Sequence, residues 1–177
     1  PWTAGAVMFN RDTGDAQSKA LATLPPFASR ATTPGCSAVL IAPNALLSAS
    51  HCTGYAASGN TTAYWNNQSR PGVFTKLGED TMLIVTSTPF NNTTGNMTAP
   101  YAGSAEVNRL VWKVGIGQFG VLGPGATGVQ ADGTFRAMTN RIEVDNIPTP
   151  PPFVSGSWLV YDFDGPPSRP LGNRATT

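Results

Sequence analysis

Charged side chains are scarce in this sequence of 177 residues. They make up 12% of the chain, and the formal net charge is only +1. A nearly neutral chain offers no electrostatic basis for binding nucleic acid or an anionic membrane surface. No apolar run approaches the roughly 18 residues that a membrane-spanning helix needs. We therefore expect neither nucleic acid nor a membrane as a partner.

Metal-ligating side chains are also rare, since the chain has one His and two Cys. Cys36, His51 and Cys52 lack the usual ligand spacing of a zinc site, and no second His or third Cys exists to complete a tetrahedron. The glycines of residues 123–128 do not indicate a phosphate-binding loop, because no strand-to-helix transition and no Lys-Ser/Thr pair follows them. We expect no metal and no cofactor.

Turn-forming residues are plentiful, with 19 Gly and 16 Pro, and the hydrophobic content of 40% is sufficient for a core. This mixture is typical of many short strands joined by turns and argues against long helices. The sequence therefore predicts an all-β fold. Strands are expected at residues 1–9, 73–77, 81–85, 107–114, 135–144 and 157–164, whereas residues 20–24 fit a strand or a short helix. A long loop is expected between Ser58 and Val73, with Tyr64 and Trp65 packing onto the β structure.

The clearest local pattern runs from Cys36 to Cys52. Two apolar runs are separated by Pro43 and Asn44, which are turn residues because Pro fixes φ and Asn tolerates the left-handed conformation. The pattern predicts strand, tight turn and strand, with His51 at the end of the second strand. A disulfide can bridge the two ends of such a hairpin. Two reduced core thiols are the alternative.

This stretch resembles the trypsin-like serine peptidases, whose pattern runs from Cys-x-x-x-Leu-Ile-x-Pro to Leu-x-Ala-x-His-Cys. The resemblance implies that His51 is the general base of a Ser-His-Asp triad and that Cys36 and Cys52 form a disulfide. Asp80, which precedes an apolar run, is similar to the family's Asp-x-x-Leu-Ile motif. In the triad it would accept the Nδ1–H of His51 and stabilise the imidazolium. A simpler interpretation is that Asp80 only begins a strand.

The resemblance also implies the architecture. It predicts a double antiparallel β-barrel of the trypsin-like type, with residues 1–100 forming the first barrel and carrying His51 and Asp80. Residues 101–177 would begin a second barrel that is incomplete in this chain. Residues 114–120 are similar to the Val-x-Gly-Trp-Gly stretch that opens the family's second barrel, although Ile116 occupies the Trp position.

The nucleophile of such a triad is missing from the sequence, because the family's Gly-Asp-Ser-Gly-Gly motif does not occur. Ser168 follows two prolines, which remove the backbone N–H groups that an oxyanion hole uses. Ser157 begins an apolar strand and is equally unsuitable. We expect a C-terminal chain of the same precursor, beginning after Thr177, to carry the nucleophile. The predicted function is then a secreted serine endopeptidase that hydrolyses a protein or peptide substrate. The alternative is a catalytically inactive homologue that acts as a protein-binding module.

Five Asn-x-Ser/Thr sequons add a second indication of secretion. Such sequons mark surface loops in proteins that pass through a glycosylating compartment, although Asn/Thr-rich loops also produce them by chance. Their asparagines are Asn60, Asn67, Asn91, Asn92 and Asn96.

Overall fold

A computed structural model describes the protein at residues 7–10, 14–78, 80–100, 102–103, 107–122, 130–142, 144–148 and 157–160. In these ranges α1 (Gly14–Leu21) is accompanied by short 3-10 helices at Pro25–Phe27 and Ser50–Thr53. None of the helices in these ranges is both long and apolar enough to cross a membrane. The strands are β1 (Val7–Asn10), β2 (Arg30–Thr33), β3 (Cys36–Ala42), β4 (Ala45–Ser48), β5 (Ser58–Trp65), β6 (Gln68–Lys76), β7 (Met82–Thr86), β8 (Leu110–Gly115), β9 (Gln118–Leu122), β10 (Gln130–Ala131), β11 (Arg136–Arg141), β12 (Val144–Pro148) and β13 (Ser157–Val160).

Six of these strands form a closed barrel in the order β2-β3-β4-β7-β6-β5, and all neighbouring strands are antiparallel. Closure removes the free edges that an open sheet would expose. The prediction of a mostly β fold is therefore confirmed.

The core of the barrel consists of apolar side chains from all six strands and of Phe90, which follows β7. Leu40, Leu46, Met82 and Ile84 are completely buried. Burying a side chain of this size contributes on the order of 1.5–3 kcal/mol. Further members with at most 9% exposure are Ala31, Ala38, Ala63, Trp65, Phe74 and Phe90.

The predicted hairpin between the two cysteines is confirmed as β3 and β4. Leu40 lies opposite Leu46, and the pairing register then shifts between Leu40 and Ala42, just before the turn. Both turn carbonyls accept hydrogen bonds from the segment around the end of β7, since Asn44 O accepts the N–H of Thr86 and Pro43 O that of Phe90. The turn is thus fixed by the barrel around it as well as by its own residues.

The predicted long loop between Ser58 and Val73 is wrong. These residues belong to a long hairpin in which β5 and β6 pair from Ser58↔Thr75 to Trp65↔Gln68. Its turn residues, Asn66 and Asn67, both have positive φ, as the favoured two-residue hairpin turns require. The strand was missed because most residues of β5 are polar or turn-forming. Trp65 does pack into the barrel as predicted, and its Nε1–H donates to Ala28 O at 2.9 Å. The same prediction is wrong for Tyr64, which is 45% exposed.

The elements outside the barrel pack on one another and on its surface. β1 pairs in parallel with β9, which also pairs with β10, while β8 pairs with β11 and β12 with β13. Residues 20–24, left open between strand and helix, contain the end of α1. The Ser37 hydroxyl of β3 accepts the N–H of Ile116 at 2.8 Å, which joins the barrel to the β8–β9 turn. The division of the chain near residue 100 stays a prediction.

A buried arginine connects α1 to β11. The side chain of Arg136 is 1% exposed, and its guanidinium donates to the carboxylate of Asp15 at 2.6 Å and to that of Asp132 at 2.8 and 2.9 Å. These hydrogen bonds from Arg136 hold the pKa of both aspartates below the usual range. The Ser18 hydroxyl of α1 adds a 2.8 Å hydrogen bond to Ala137 O.

The ion-pair network makes stability depend on pH. Because the folded pKa of Asp132 is depressed, its stabilising effect is complete above the unfolded value of about 3.9 and is lost as the pH falls toward the folded value. We expect Asp132→Asn to lower the thermal unfolding midpoint at neutral pH and to differ progressively less from the wild type in acid. Scanning calorimetry across this range tests the expectation, and an equal difference at every pH would contradict it.

Candidate functional site

The register between β4 and β7 brings two distant segments of the chain together. Ala45 pairs with Val85 and Ser48 with Met82. Each step forward along β4 is therefore matched by one step back along β7. The register continues past the end of β4, where the N–H of Ser50 donates to Asp80 O at 3.2 Å. This pairing places His51, the residue after Ser50, next to Asp80.

A single 3-10 turn, Ser50–Thr53, follows β4 and carries His51. It ends at Gly54, whose φ of 64° lies in the left-handed region that glycine adopts without steric cost. Cys52 in the same turn forms a disulfide with Cys36 at the start of β3, with the two Cα atoms 6.2 Å apart. The predicted disulfide is confirmed, and it restrains the backbone on which His51 stands.

The side chains of His51 and Asp80 are in direct contact. Nδ1 of His51 lies 2.8 Å from each carboxylate oxygen of Asp80, and the backbone N–H of His51 donates to Oδ1 at 2.9 Å. Both side chains are partly exposed, His51 by 24% and Asp80 by 27%. The imidazole is thus held from one side and remains accessible from the other.

This contact selects one tautomer of the imidazole. An ionised carboxylate can only accept hydrogen bonds, so the proton of a neutral His51 must lie on Nδ1. Nε2 then presents its lone pair and can accept a proton from another group. Within the described ranges, Nε2 forms no hydrogen bond. The contact with Asp80 thus orients the imidazole so that Nε2 can accept a proton.

Ser50 belongs to the site, although no motif in the sequence points to it. Its side chain is completely buried, and its hydroxyl lies 3.4 Å from Oδ1 of Asp80. Oδ1 therefore faces Nδ1 and the backbone N–H of His51 together with this hydroxyl. The only signal in the sequence is that Ser50 directly precedes His51. This position indicates a role at the site only when the pairing of Ser50 with Asp80 is known.

The same region contains a geometric cluster of possible metal ligands. The ligand atoms of Cys36, His51 and Cys52 lie within 4.8 Å of one another. Zinc binds cysteine as the thiolate, and the disulfide removes both thiolates. The donor set therefore does not suit a metal ion while the disulfide is intact.

The other predicted site residues are spread over the surface or lie outside the described residues. Asn60 is exposed on β5, and Asn67 is exposed in the β5–β6 turn. Asn91 and Asn92 are exposed after β7, whereas Asn96 is partly buried and donates from Nδ2 to Asn92 O at 3.1 Å. Glycosylation of these positions stays a prediction.

The two rejected serine candidates stand differently with respect to the described residues. Ser157 is the first residue of β13. Ser168 lies outside the described residues. The identity of the nucleophile therefore stays a matter for proposal.

No model of a known protein family matches this chain, and no curated protein matches it either. A six-stranded antiparallel barrel accompanied by few helices is compatible with a trypsin-like fold.

The chain has a single histidine, so its tautomer can be observed directly by ¹⁵N NMR. We expect the neutral imidazole to carry its proton on Nδ1, because Asp80 accepts from that nitrogen. Asp80→Asn should shift the population toward the Nε2–H form, since an amide can donate to Nδ1. Ser50→Ala is the matched control and should keep the Nδ1–H form. A predominantly Nε2–H imidazole in the wild type would contradict the geometry.

The disulfide should contribute measurably to stability. In the chain-entropy model, a bridge that closes a loop of about 15 residues stabilises the fold by roughly 3 kcal/mol. We expect the double variant Cys36→Ala, Cys52→Ala to lose about this amount of unfolding free energy in a urea titration. The denaturant slope should be examined at the same time, because residual structure in the unfolded state would appear there. An unchanged transition midpoint with an unchanged slope would contradict the expected role.

Proposed function

We propose that this chain carries the general base and the orienting carboxylate of a secreted serine endopeptidase. The observation that supports the proposal most strongly is the contact of Nδ1 of His51 with both oxygens of Asp80 at 2.8 Å, which leaves Nε2 available. The disulfide between Cys36 and Cys52 supports an oxidising compartment, and the sequons agree with secretion.

In the proposed reaction a serine hydroxyl attacks the carbonyl carbon of the scissile peptide bond. Nε2 of His51 takes the hydroxyl proton as the bond between the serine oxygen and the carbonyl carbon forms. His51 then gives that proton to the leaving amine as the C–N bond breaks, and an acyl-enzyme remains. Water, activated by the same nitrogen, hydrolyses the acyl-enzyme and restores the serine.

Asp80 has two tasks in this scheme. Its carboxylate keeps the proton of neutral His51 on Nδ1, so that Nε2 is the basic atom. It also stabilises the imidazolium that exists between the two proton transfers, without becoming protonated itself. The backbone N–H of His51 and the hydroxyl of Ser50 hold Oδ1 in place for both tasks.

The proposal assigns the nucleophile to a further polypeptide of the same precursor. The support is that the sequence contains no Gly-Asp-Ser-Gly-Gly segment, and that its nearest candidate, Ser168, follows two prolines. That polypeptide would also supply the oxyanion hole and complete a second barrel, to which β8 to β13 would contribute. The whole would be a double-barrel protein of the trypsin-like type.

The proposal predicts that His51→Ala abolishes peptide hydrolysis by the complete protein while the fold is retained. His51 is partly exposed and lies outside the apolar core, so its loss should leave the circular dichroism spectrum unchanged. Asp80→Asn should reduce turnover on the order of 10⁴-fold, as the loss of an orienting carboxylate does in a serine triad. Turnover of a fluorogenic peptide mixture measures both effects.

An active-site-directed phosphonate supplies the complementary test. Covalent labelling of a co-purifying polypeptide, detected by denatured intact-mass measurement, would identify the nucleophile, and labelling should be lost in His51→Ala. The matched control is Tyr64→Phe, an exposed position on β5 that should leave labelling unchanged. Full hydrolysis by His51→Ala would refute the assignment. A wild-type protein that is neither labelled nor active would indicate a protein-binding module instead.

A further inference from the structure

An exposed aromatic ring lies beside the imidazole on the open rim of the barrel. The ring centroids of His51 and Tyr55 are 6.3 Å apart with an interplanar angle of 58°. Tyr55 is 46% exposed, so its ring leaves a face available for a ligand. Neither the proposed proton transfers nor the packing of the barrel core requires this ring.

The backbone of Tyr55 is held in an unfavourable conformation. Its φ of 63° lies in the left-handed region, which is strained for a residue with a bulky side chain. The surrounding structure maintains it, since the N–H of Tyr55 donates to Ser50 O at 3.1 Å and the N–H of Lys76 donates to Ala57 O at 2.8 Å. Glycine would adopt this conformation without strain, so the presence of tyrosine calls for a role of its side chain.

The side chain of Lys76 lies next to the Tyr55 ring on this rim. Nζ of Lys76 lies 5.5 Å from the centroid of the Tyr55 ring, which is within the range of a cation–π contact. Lys76 is the last residue of β6 and pairs with Met82, so it lies close to the turn that leads into Asp80. Among the described residues, its ammonium forms no ion pair. A lysine ammonium carries a positive charge and three N–H donors, so it can attract an anionic partner.

We propose that Tyr55 and Lys76 form a substrate-recognition surface that selects an acidic side chain within about two residues of the cleaved bond. This inference rests on the proposed peptidase function. The scissile carbonyl must lie next to the nucleophile that shares a proton with His51, and an extended peptide advances about 3.3–3.6 Å per residue. The 6.3 Å between the rings of His51 and Tyr55 therefore corresponds to about two residues of substrate. The ammonium of Lys76 attracts the carboxylate, and the Tyr55 ring packs against the aliphatic part of the same side chain.

The test uses the complete protein with its nucleophile and pairs of peptides that differ only by Glu or Gln at one position near the cleaved bond. We expect kcat/KM to favour Glu at one such position, on the order of fivefold, which is the effect of a partly exposed ion pair. The preference should vanish in Lys76→Gln, reverse to favour Gln over Glu in Lys76→Glu, and weaken with added salt. Tyr55→Phe should retain it, because the ring is kept, whereas Tyr55→Gly should reduce it.

Lys19→Gln is the matched control, because it removes the same charge from α1 and should leave the Glu preference intact. An unchanged Glu:Gln ratio in Lys76→Gln and Lys76→Glu, or no preference in the wild type, would overturn the inference while hydrolysis continued. Failure of the wild type to cleave any peptide would overturn the proposed function, and the inference with it. The two failures are therefore distinguishable in one experiment.

Discussion

The antiparallel register between β4 and β7 is the constraint on which the site depends. It places Ser50 opposite Asp80 and thereby brings the next residue, His51, into contact with the carboxylate. A shift of the pairing by one residue would turn every side chain of a strand to the opposite face. Such a shift would expose Leu46 and Ile84, which are completely buried, so the apolar core enforces the same register that the site requires. Stability and the proposed chemistry depend on one set of strand pairs.

The disulfide and the turn hydrogen bonds act on the same segment from different sides. Cys36 and Cys52 connect the start of β3 to the 3-10 turn that carries His51, while the N–H of Thr86 holds the carbonyl of Asn44 at the opposite end of the hairpin. The hairpin is therefore fixed at both ends. A group that transfers protons benefits from such restraint, because a misplacement of about 1 Å can reduce the rate of a reaction on the order of 10²-fold.

Strands with a strong local sequence pattern could be predicted, whereas a strand with a weak pattern could not. Pro43 and Asn44 between two apolar runs indicate a hairpin, and β3 and β4 form one. In contrast, β5 was interpreted as a loop because most of its residues are polar or turn-forming, mainly Thr, Asn and Gly. In the structure only Ala63 and Trp65 are buried along it. Strand formation there is imposed by pairing with β6 across the barrel. Tertiary pairing overrides a weak local preference, which a single sequence does not display.

The sequence by itself determined the types of residue available for chemistry: one histidine, two cysteines that flank a hairpin, and a carboxylate before an apolar strand. It also determined the predominance of β structure, through its turn residues and short apolar runs. Only the tertiary structure decided that His51 and Asp80 share a hydrogen bond, that Ser50 supports the carboxylate, and that Tyr55 and Lys76 stand on the same rim. The reason is physical. Contacts between residues about 20–30 positions apart arise from strand register and barrel closure, and these follow from how the whole core packs rather than from any local stretch of the chain.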